Sequence, residues 1–181
     1  MDINQPTWKA QDGIVDVATW KQEKIKILWV LREPNGENFD FMEYLQNVTV
    51  YPRWKCSYGL VVKLSRVILD NRDGLVSEYS ECDPQVMKRI ALVNIKSTGG
   101  QSSINRNEYS LYAKEKGNVN EFLDKVQSIN PDLILCGGTY GDIPEEVKSK
   151  YKCVNLYHPN QKTIPHNQYI TDALKIIRDP T

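Results

Sequence analysis

The chain has 181 residues, and its 23 basic and 23 acidic side chains give a formal net charge of zero at neutral pH. With 40% hydrophobic and 25% charged residues, the composition is that of an ordinary globular protein and excludes a disordered chain, a coiled coil and a collagen-like repeat. A strongly basic nucleic-acid coat protein is excluded too, although a local basic patch is compatible with a balanced total. The length predicts a single domain over residues 1–181, with residues 1–23 as an N-terminal arm packed on its core.

The four cysteines form no CxxC pair, so a zinc knuckle is not indicated. Cys136 and Cys153 lie in aliphatic runs, and we interpret both as small buried hydrophobes with free thiols. No apolar run approaches the roughly 20 residues of a membrane helix, and the first residues carry no apolar signal region. We therefore expect a cytoplasmic protein, a monomer, without membrane contact, metal or cofactor.

Four apolar runs predict the strands of a sheet, over residues 25–31, 90–95, 132–136 and 151–157. Each run is rich in aliphatic residues and continuous rather than strictly alternating. That pattern is typical of parallel strands that are covered on both faces.

Helical patterns lie between these strands. Apolar residues at helical spacing predict helices over 39–46, 58–69, 107–114, 119–129 and 169–178, a short helical turn over 84–89, and a further helix opened by Pro144. Asn118 is the predicted N-cap of the helix over 119–129, with Glu121 as its capping-box partner. The alternation predicts an α/β fold, with three layers (α/β/α) around a central four-stranded parallel sheet.

Polar and small residues follow each predicted strand, in the segments 32–38, 96–101, 137–141 and 158–162. Ligands of parallel sheets bind beyond the carboxyl ends of the strands, so these segments are the first candidates for a site. The alternative is that their glycines and asparagines serve turn geometry alone. Neither the P-loop nor the dinucleotide-binding glycine motif is present.

The ordered set of these segments resembles the uracil-DNA glycosylase superfamily. The first loop is most similar to the iron–sulfur branch, although the chain lacks that branch's CxxC and its cluster is not expected. Arg32, Pro34, Asn35 and Asn160 depart from the family's usual residues, which indicates an outlying member. The stretches that carry the resemblance are 31–37, 92–95, 105–108, 130–138 and 156–160.

The resemblance implies a uracil-DNA glycosylase-like fold and hydrolysis of the N-glycosidic bond of a flipped (deoxy)uridine-type nucleotide in DNA that contains a modified base. That reaction passes through an oxocarbenium-like sugar and releases an anionic base. Glu33 is the best-placed carboxylate for the sugar, with Glu37 second, and His158 is the candidate donor to the base oxygen. The amide of Asn94 suits a pyrimidine edge.

Further candidates surround these three. A flipped base needs an aromatic platform, for which Tyr58 or Trp54 is predicted. Lysines and polar side chains near the strand ends can contact phosphate. The predicted substrate-binding residues are Asn35, Gly36, Asn94 and Tyr58, and the predicted nucleic-acid contacts are Lys96, Ser97, Gln161 and Lys162.

Two other functions remain open on the sequence. One is a catalytically inactive module of the same fold that binds a nucleobase or nucleic acid, which the altered first loop favours. The other is a nucleoside or nucleotide hydrolase, which shares the carboxylate and the histidine and needs no DNA groove. Each candidate residue also has a structural alternative, such as a solvated loop carboxylate for Glu33 or backbone pairing for Asn94.

Overall fold

A computed structural model describes residues 12–33, 41–47, 54–70, 82–97 and 106–178, except for the side chains of 41, 44, 54–57 and 106. The strands are β1 (Gly13–Ile14), β2 (Ile27–Leu31), β3 (Ala91–Asn94), β4 (Leu133–Gly137) and β5 (Lys152–Leu156). The helices are α1 (Val17–Gln22), α2 (Phe41–Gln46), α3 (Trp54–Leu69), α4 (Arg106–Lys114), α5 (Lys116–Ile129), α6 (Glu145–Lys150) and α7 (His166–Arg178), with 3-10 helices over Pro84–Arg89 and Tyr140–Asp142.

The strands form one sheet in the order β1-β3-β2-β4-β5. The four predicted strands are parallel to their neighbours, but β1 joins the edge of the sheet antiparallel to β3. The α/β class is therefore correct, whereas the prediction of a four-stranded parallel sheet is wrong, since the sheet that the described residues form has five strands and is mixed. Strand β1 was not predicted from the sequence, because a strand of two residues is too short to show a hydrophobic period.

Both faces of the sheet are covered. Along β2 the side chains of Ile27, Trp29 and Leu31 belong to one buried cluster, which α3 and α7 complete. Leu28 and Val30 belong to a second cluster on the other face, with residues of α1, α4, α5 and α6. Alternation along a strand sends neighbouring side chains to opposite faces, so burial on both explains the continuous apolar runs.

Strand β2 pairs with β3 along one edge and with β4 along the other, so the strand order reverses at β2. A crevice forms at such a switch point, beyond the carboxyl ends of the two strands. The residues that follow β2 and β4 therefore lie at this crevice, and they are Arg32, Glu33, Gly138 and Thr139.

Within the described ranges, no helix combines the length and the apolar character that crossing a bilayer needs.

Candidate functional site

A cavity of about 550 Å³ opens at the carboxyl ends of β4 and β5. Its walls include the apolar side chains of Leu156, Ile164, Ala173 and Ile176. Its polar lining includes Arg32, Asn155, His158, Gln161 and Asp172. Small-molecule sites typically have volumes of about 300–1,000 Å³, apolar walls and a few fixed polar groups, so the cavity has the size and the lining of a ligand site.

His158 is held in one tautomer. Its Nδ1 accepts a hydrogen bond from the backbone N–H of Asn160 at 3.1 Å. Burial and the positive charge of Arg32 both lower the pKa of His158. The imidazole is therefore neutral at neutral pH and carries its proton on Nε2, where it can donate a hydrogen bond to a ligand.

Gly138 lies between Arg32 and His158 and approaches both closely. The backbone of Gly138 has φ = +73°, a conformation that favours glycine, and a Cβ there would lie 3.3 Å from the Cβ of His158. Its carbonyl accepts a hydrogen bond from Nε of Arg32 at 3.2 Å. Its N–H donates to the carbonyl of Leu156 at 2.7 Å, which fixes the turn to the end of β5.

The loop after His158 is shaped by the side chain of Gln161. Its Oε1 accepts from the backbone N–H of Thr163 at 2.8 Å and of Ile164 at 2.7 Å, and its Nε2 donates to the carbonyl of Ile164 at 2.9 Å. Lys162 lies exposed on the same loop. The amide of Gln161 is thus engaged within the loop, while Lys162 extends into solvent as a phosphate contact requires.

A second group of predicted residues gathers at the ends of β2 and β3. Nζ of Lys96 lies 3.2 Å from a carboxylate oxygen of Glu33 and 3.0 Å from one of Glu108. The side chain of Glu33 is only 4% exposed, so its charge is balanced locally by Lys96. Burial lowers the pKa of Lys96, but the two carboxylates raise it by more and keep the ammonium charged.

Asn94 lies buried at the end of β3, directly beside Leu31 of β2. Among the described residues its side-chain Nδ2 has no hydrogen-bond partner. Buried amides are normally paired, so this donor is exceptional within the described core. Nearby, Ser97 Oγ and the hydroxyl of Tyr112 share a hydrogen bond of 2.8 Å.

The backbone of Asn94 is fixed from the N-terminal segment. Its N–H donates to Oδ2 of Asp12 at 2.6 Å, and the other carboxylate oxygen of Asp12 lies 2.9 Å from Nζ of Lys125. The side chain of Asp12 is fully buried. Burial raises the pKa of Asp12, and the charge of Lys125 opposes that shift.

The described lining of the cavity does not include Tyr58 but includes other tyrosines. Tyr58 is half-buried against the cluster that α3 forms on the sheet. Tyr157 lines the cavity instead with 69% of its surface exposed, and Tyr140 lines it from the turn after β4. The hydroxyl of Tyr169 donates to the carbonyl of Tyr157 at 2.6 Å, which holds the end of β5 against α7. The sequence does not single out Tyr157, because it lies in the apolar run over 151–157 that predicts a strand.

The two groups of residues are adjacent through the peptide that joins Arg32 to Glu33. Arg32 lines the cavity with His158, whereas Glu33 pairs with Lys96. The described lining of the cavity includes neither Glu33 nor Asn94. The charges of both Arg32 and Glu33 act on Tyr109, whose pKa is raised mainly by burial and by Asp142. Asn35, Gly36, Glu37 and the side chain of Trp54 lie outside the described residues.

In the part of the chain that the structure describes, no group of three His, Cys, Asp or Glu side chains lies close enough together to bind a metal ion.

Comparisons with models of known protein families, with curated proteins and with solved structures found no match to the chain.

Proposed function

We propose that the protein hydrolyses the N-glycosidic bond of a flipped (deoxy)uridine-type nucleotide in DNA, as the resemblance to uracil-DNA glycosylases implies. The observation that supports this most is the neutral His158, whose Nδ1 accepts from the Asn160 N–H, in a cavity of about 550 Å³. A neutral imidazole with its proton on Nε2 is suited to donate to an oxygen that gains negative charge during the reaction.

The reaction divides between the two groups of residues. The C1′–N bond breaks with both electrons leaving on the base, whose oxygen accepts a hydrogen bond from His158. The carboxylate of Glu33 stabilises the positive sugar and orients the attacking water. The water oxygen bonds to C1′, and its proton passes to the departed base anion, so the products are a free base and an abasic sugar.

Recognition of the base falls to the unused amide of Asn94. Its Nδ2 lacks a partner among the described residues although the residue is 2% exposed, so a pyrimidine carbonyl would satisfy it. Tyr157, exposed beside the cavity, is a better candidate for stacking on a base than the half-buried Tyr58. Lys96, Ser97, Gln161 and Lys162 remain the proposed phosphate contacts, of which Lys162 is exposed and Lys96 is engaged by carboxylates.

The second candidate is a module of the same fold that binds a nucleobase or nucleic acid without turnover. One observation favours it, which is the ion pair of the buried Glu33 with Lys96. A carboxylate whose charge is already balanced by an ammonium stabilises a sugar cation less well.

The test uses an end-labelled oligonucleotide with one uracil, single- or double-stranded, treated with alkali after incubation to cleave abasic sites. We expect cleavage at the uracil by the wild type, and loss of cleavage in Glu33→Gln. Glu146→Gln, an exposed glutamate in the first turn of α6, is the matched control and should keep full activity.

Other results assign the protein differently. Binding of the oligonucleotide without any cleavage identifies the inactive module. Release of uracil from free deoxyuridine, with the oligonucleotide left intact, identifies a nucleoside hydrolase. If the protein neither binds nor cleaves any of these substrates, the proposed function is contradicted.

A further inference from the structure

Arg32 brings a positive charge into the cavity that no described carboxylate balances. Its Nε donates to the carbonyl of Gly138 at 3.2 Å, which fixes the plane of the guanidinium. Its two terminal nitrogens have no hydrogen-bond or ion-pair partner within the described ranges. The described lining of the cavity contains one carboxylate, that of Asp172 on α7, whose Oδ1 accepts from Nε2 of Gln168 at 2.8 Å.

The position of Arg32 relative to His158 is set by one backbone unit. The Gly138 carbonyl accepts from the arginine, and a Cβ at position 138 would lie within 3.6 Å of the backbone and Cβ of His158. Arg32 and His158 both line the cavity, and the positive charge of Arg32 lowers the pKa of His158. Two donors, one charged and one neutral, therefore line the same apolar-walled space.

We propose that Arg32 and His158 form a two-residue site for one anionic oxygen, and that in the proposed reaction this oxygen belongs to the departing base. Arg32 supplies a fixed charge, while His158 supplies a neutral donor from Nε2. The identification of the oxygen rests on the proposed function, whereas the anion site itself can be measured without turnover.

A base fits this cavity better than a phosphate group. The walls contain Leu156, Ile164, Ala173 and Ile176, which suit a flat, mostly apolar ring. The carboxylate of Asp172 in the lining repels a phosphate dianion more strongly than a base with one delocalised charge. A nucleotide phosphate is the other source of an anionic oxygen, and the test separates the two.

The kinetic arm compares Arg32→Met with Arg66→Met. Arg66 lies on α3 and pairs with Asp70 at 3.6 Å, so it controls for the loss of one positive charge. The single-turnover rate on saturating uracil-containing DNA should fall about 10²-fold or more in Arg32→Met, with a much smaller change in DNA affinity, because the charge acts mainly when the base becomes anionic. Arg32→Lys should recover part of the rate, and Arg66→Met should match the wild type.

The spectroscopic arm needs no activity. The protein has two histidines, so nitrogen-labelled histidine gives two imidazole signals that the variant His166→Gln assigns. The pKa of His158 should rise in Arg32→Met, since the arginine charge no longer opposes protonation. Free uracil should shift the wild-type His158 signal, increasingly as the pH rises and uracil ionises, and should shift it far less in Arg32→Met.

Each outcome decides the proposal. An active wild type whose rate is unchanged in Arg32→Met overturns the role of Arg32 and leaves the proposed function standing. An inactive wild type that still binds uracil through Arg32 supports the anion site and refutes turnover. Inorganic phosphate, rather than uracil, shifting His158 in an Arg32-dependent way assigns the oxygen to a nucleotide phosphate. If neither probe shifts His158, the anion site does not exist.

Discussion

Lys125→Met removes the counter-charge of the buried Asp12, which fixes the backbone of Asn94, together with a partly exposed pair with Glu121 at 3.2 Å. In the wild type, the carboxylate of Asp12 is fully buried and lies 2.9 Å from Nζ of Lys125. Removing the ammonium leaves this carboxylate without its counter-charge. Breaking a buried ion pair in this way costs about 3–5 kcal/mol. We expect the lower end of that range, because a quarter of the Lys125 side chain is exposed to water.

The loss of stability in Lys125→Met should be larger near neutral pH than at acidic pH. Burial raises the pKa of Asp12 in the folded chain above its ordinary value, so the folded state holds the proton more tightly than the unfolded state. Ionisation of Asp12 therefore opposes folding, and this penalty is absent at low pH and grows as the pH rises towards the folded-state pKa. Without Lys125 the folded-state pKa rises further, so the variant's deficit is largest near neutral pH and shrinks on acidification.

Urea unfolding followed by tryptophan fluorescence measures the free energy of unfolding for each variant. The double variant Asp12→Asn with Lys125→Met should be more stable near neutral pH than Lys125→Met alone, because no buried charge remains and the amide oxygen introduced at position 12 can still accept from the Asn94 N–H. Lys148→Met removes an exposed pair with Glu145 and should lose less than about 1 kcal/mol. Equal losses in the single and double variants, or a pH-independent deficit, would refute the reasoning.

Two further substitutions test the packing that supports the site. Ser65→Ala removes the acceptor of the buried Trp29 Nε1–H, 2.9 Å away, so urea unfolding should show a loss of about 1–3 kcal/mol; no loss would mean that the indole finds another partner. Gly137→Ala puts a Cβ 2.7 Å from Cδ2 of Leu31 and 2.9 Å from Cδ of Pro159, so it should lose about 1–3 kcal/mol and shift the His158 imidazole signal. Gly117→Ala on α5 has open space and should be neutral or slightly stabilising; similar effects of the two alanines would contradict the contact.

Strands β2, β3 and β4 are predictable because burial on both faces demands long aliphatic runs. Strand β5 at the edge of the sheet is only partly buried, with Lys152 and Asn155 exposed. The start of α5 is not predictable. The sequence predicts Asn118 as its N-cap, but the helix begins at Lys116, and the Asn118 amide donates to Glu115 and to the carbonyl of Tyr112. The polar sequence before Val119, with Gly117 inside the helix, carries no hydrophobic period from which the boundary could be read.

The candidate site is predictable only as a set of strand ends. The pairing of Glu33 with Lys96 depends on the register of β2 against β3, which no local pattern specifies. An arginine directly after a strand carries no local pattern that would indicate that it lines a cavity. Tyr58 is predicted to stack on a base, although it precedes Val61 and Val62 by three and four residues and so shares their buried side of α3.

The most direct test of the central claim compares His158→Gln with His166→Gln in single-turnover cleavage of uracil-containing DNA. Glutamine is also polar, but it lacks the imidazole donor that Asn160 orients, and removal of one such donor typically slows a reaction about 10²–10³-fold. His166 lies exposed at the start of α7 and should be replaceable without loss. We predict a rate reduced by about that factor in His158→Gln and unchanged in His166→Gln. Equal rates in the two variants would contradict a catalytic role for the cavity.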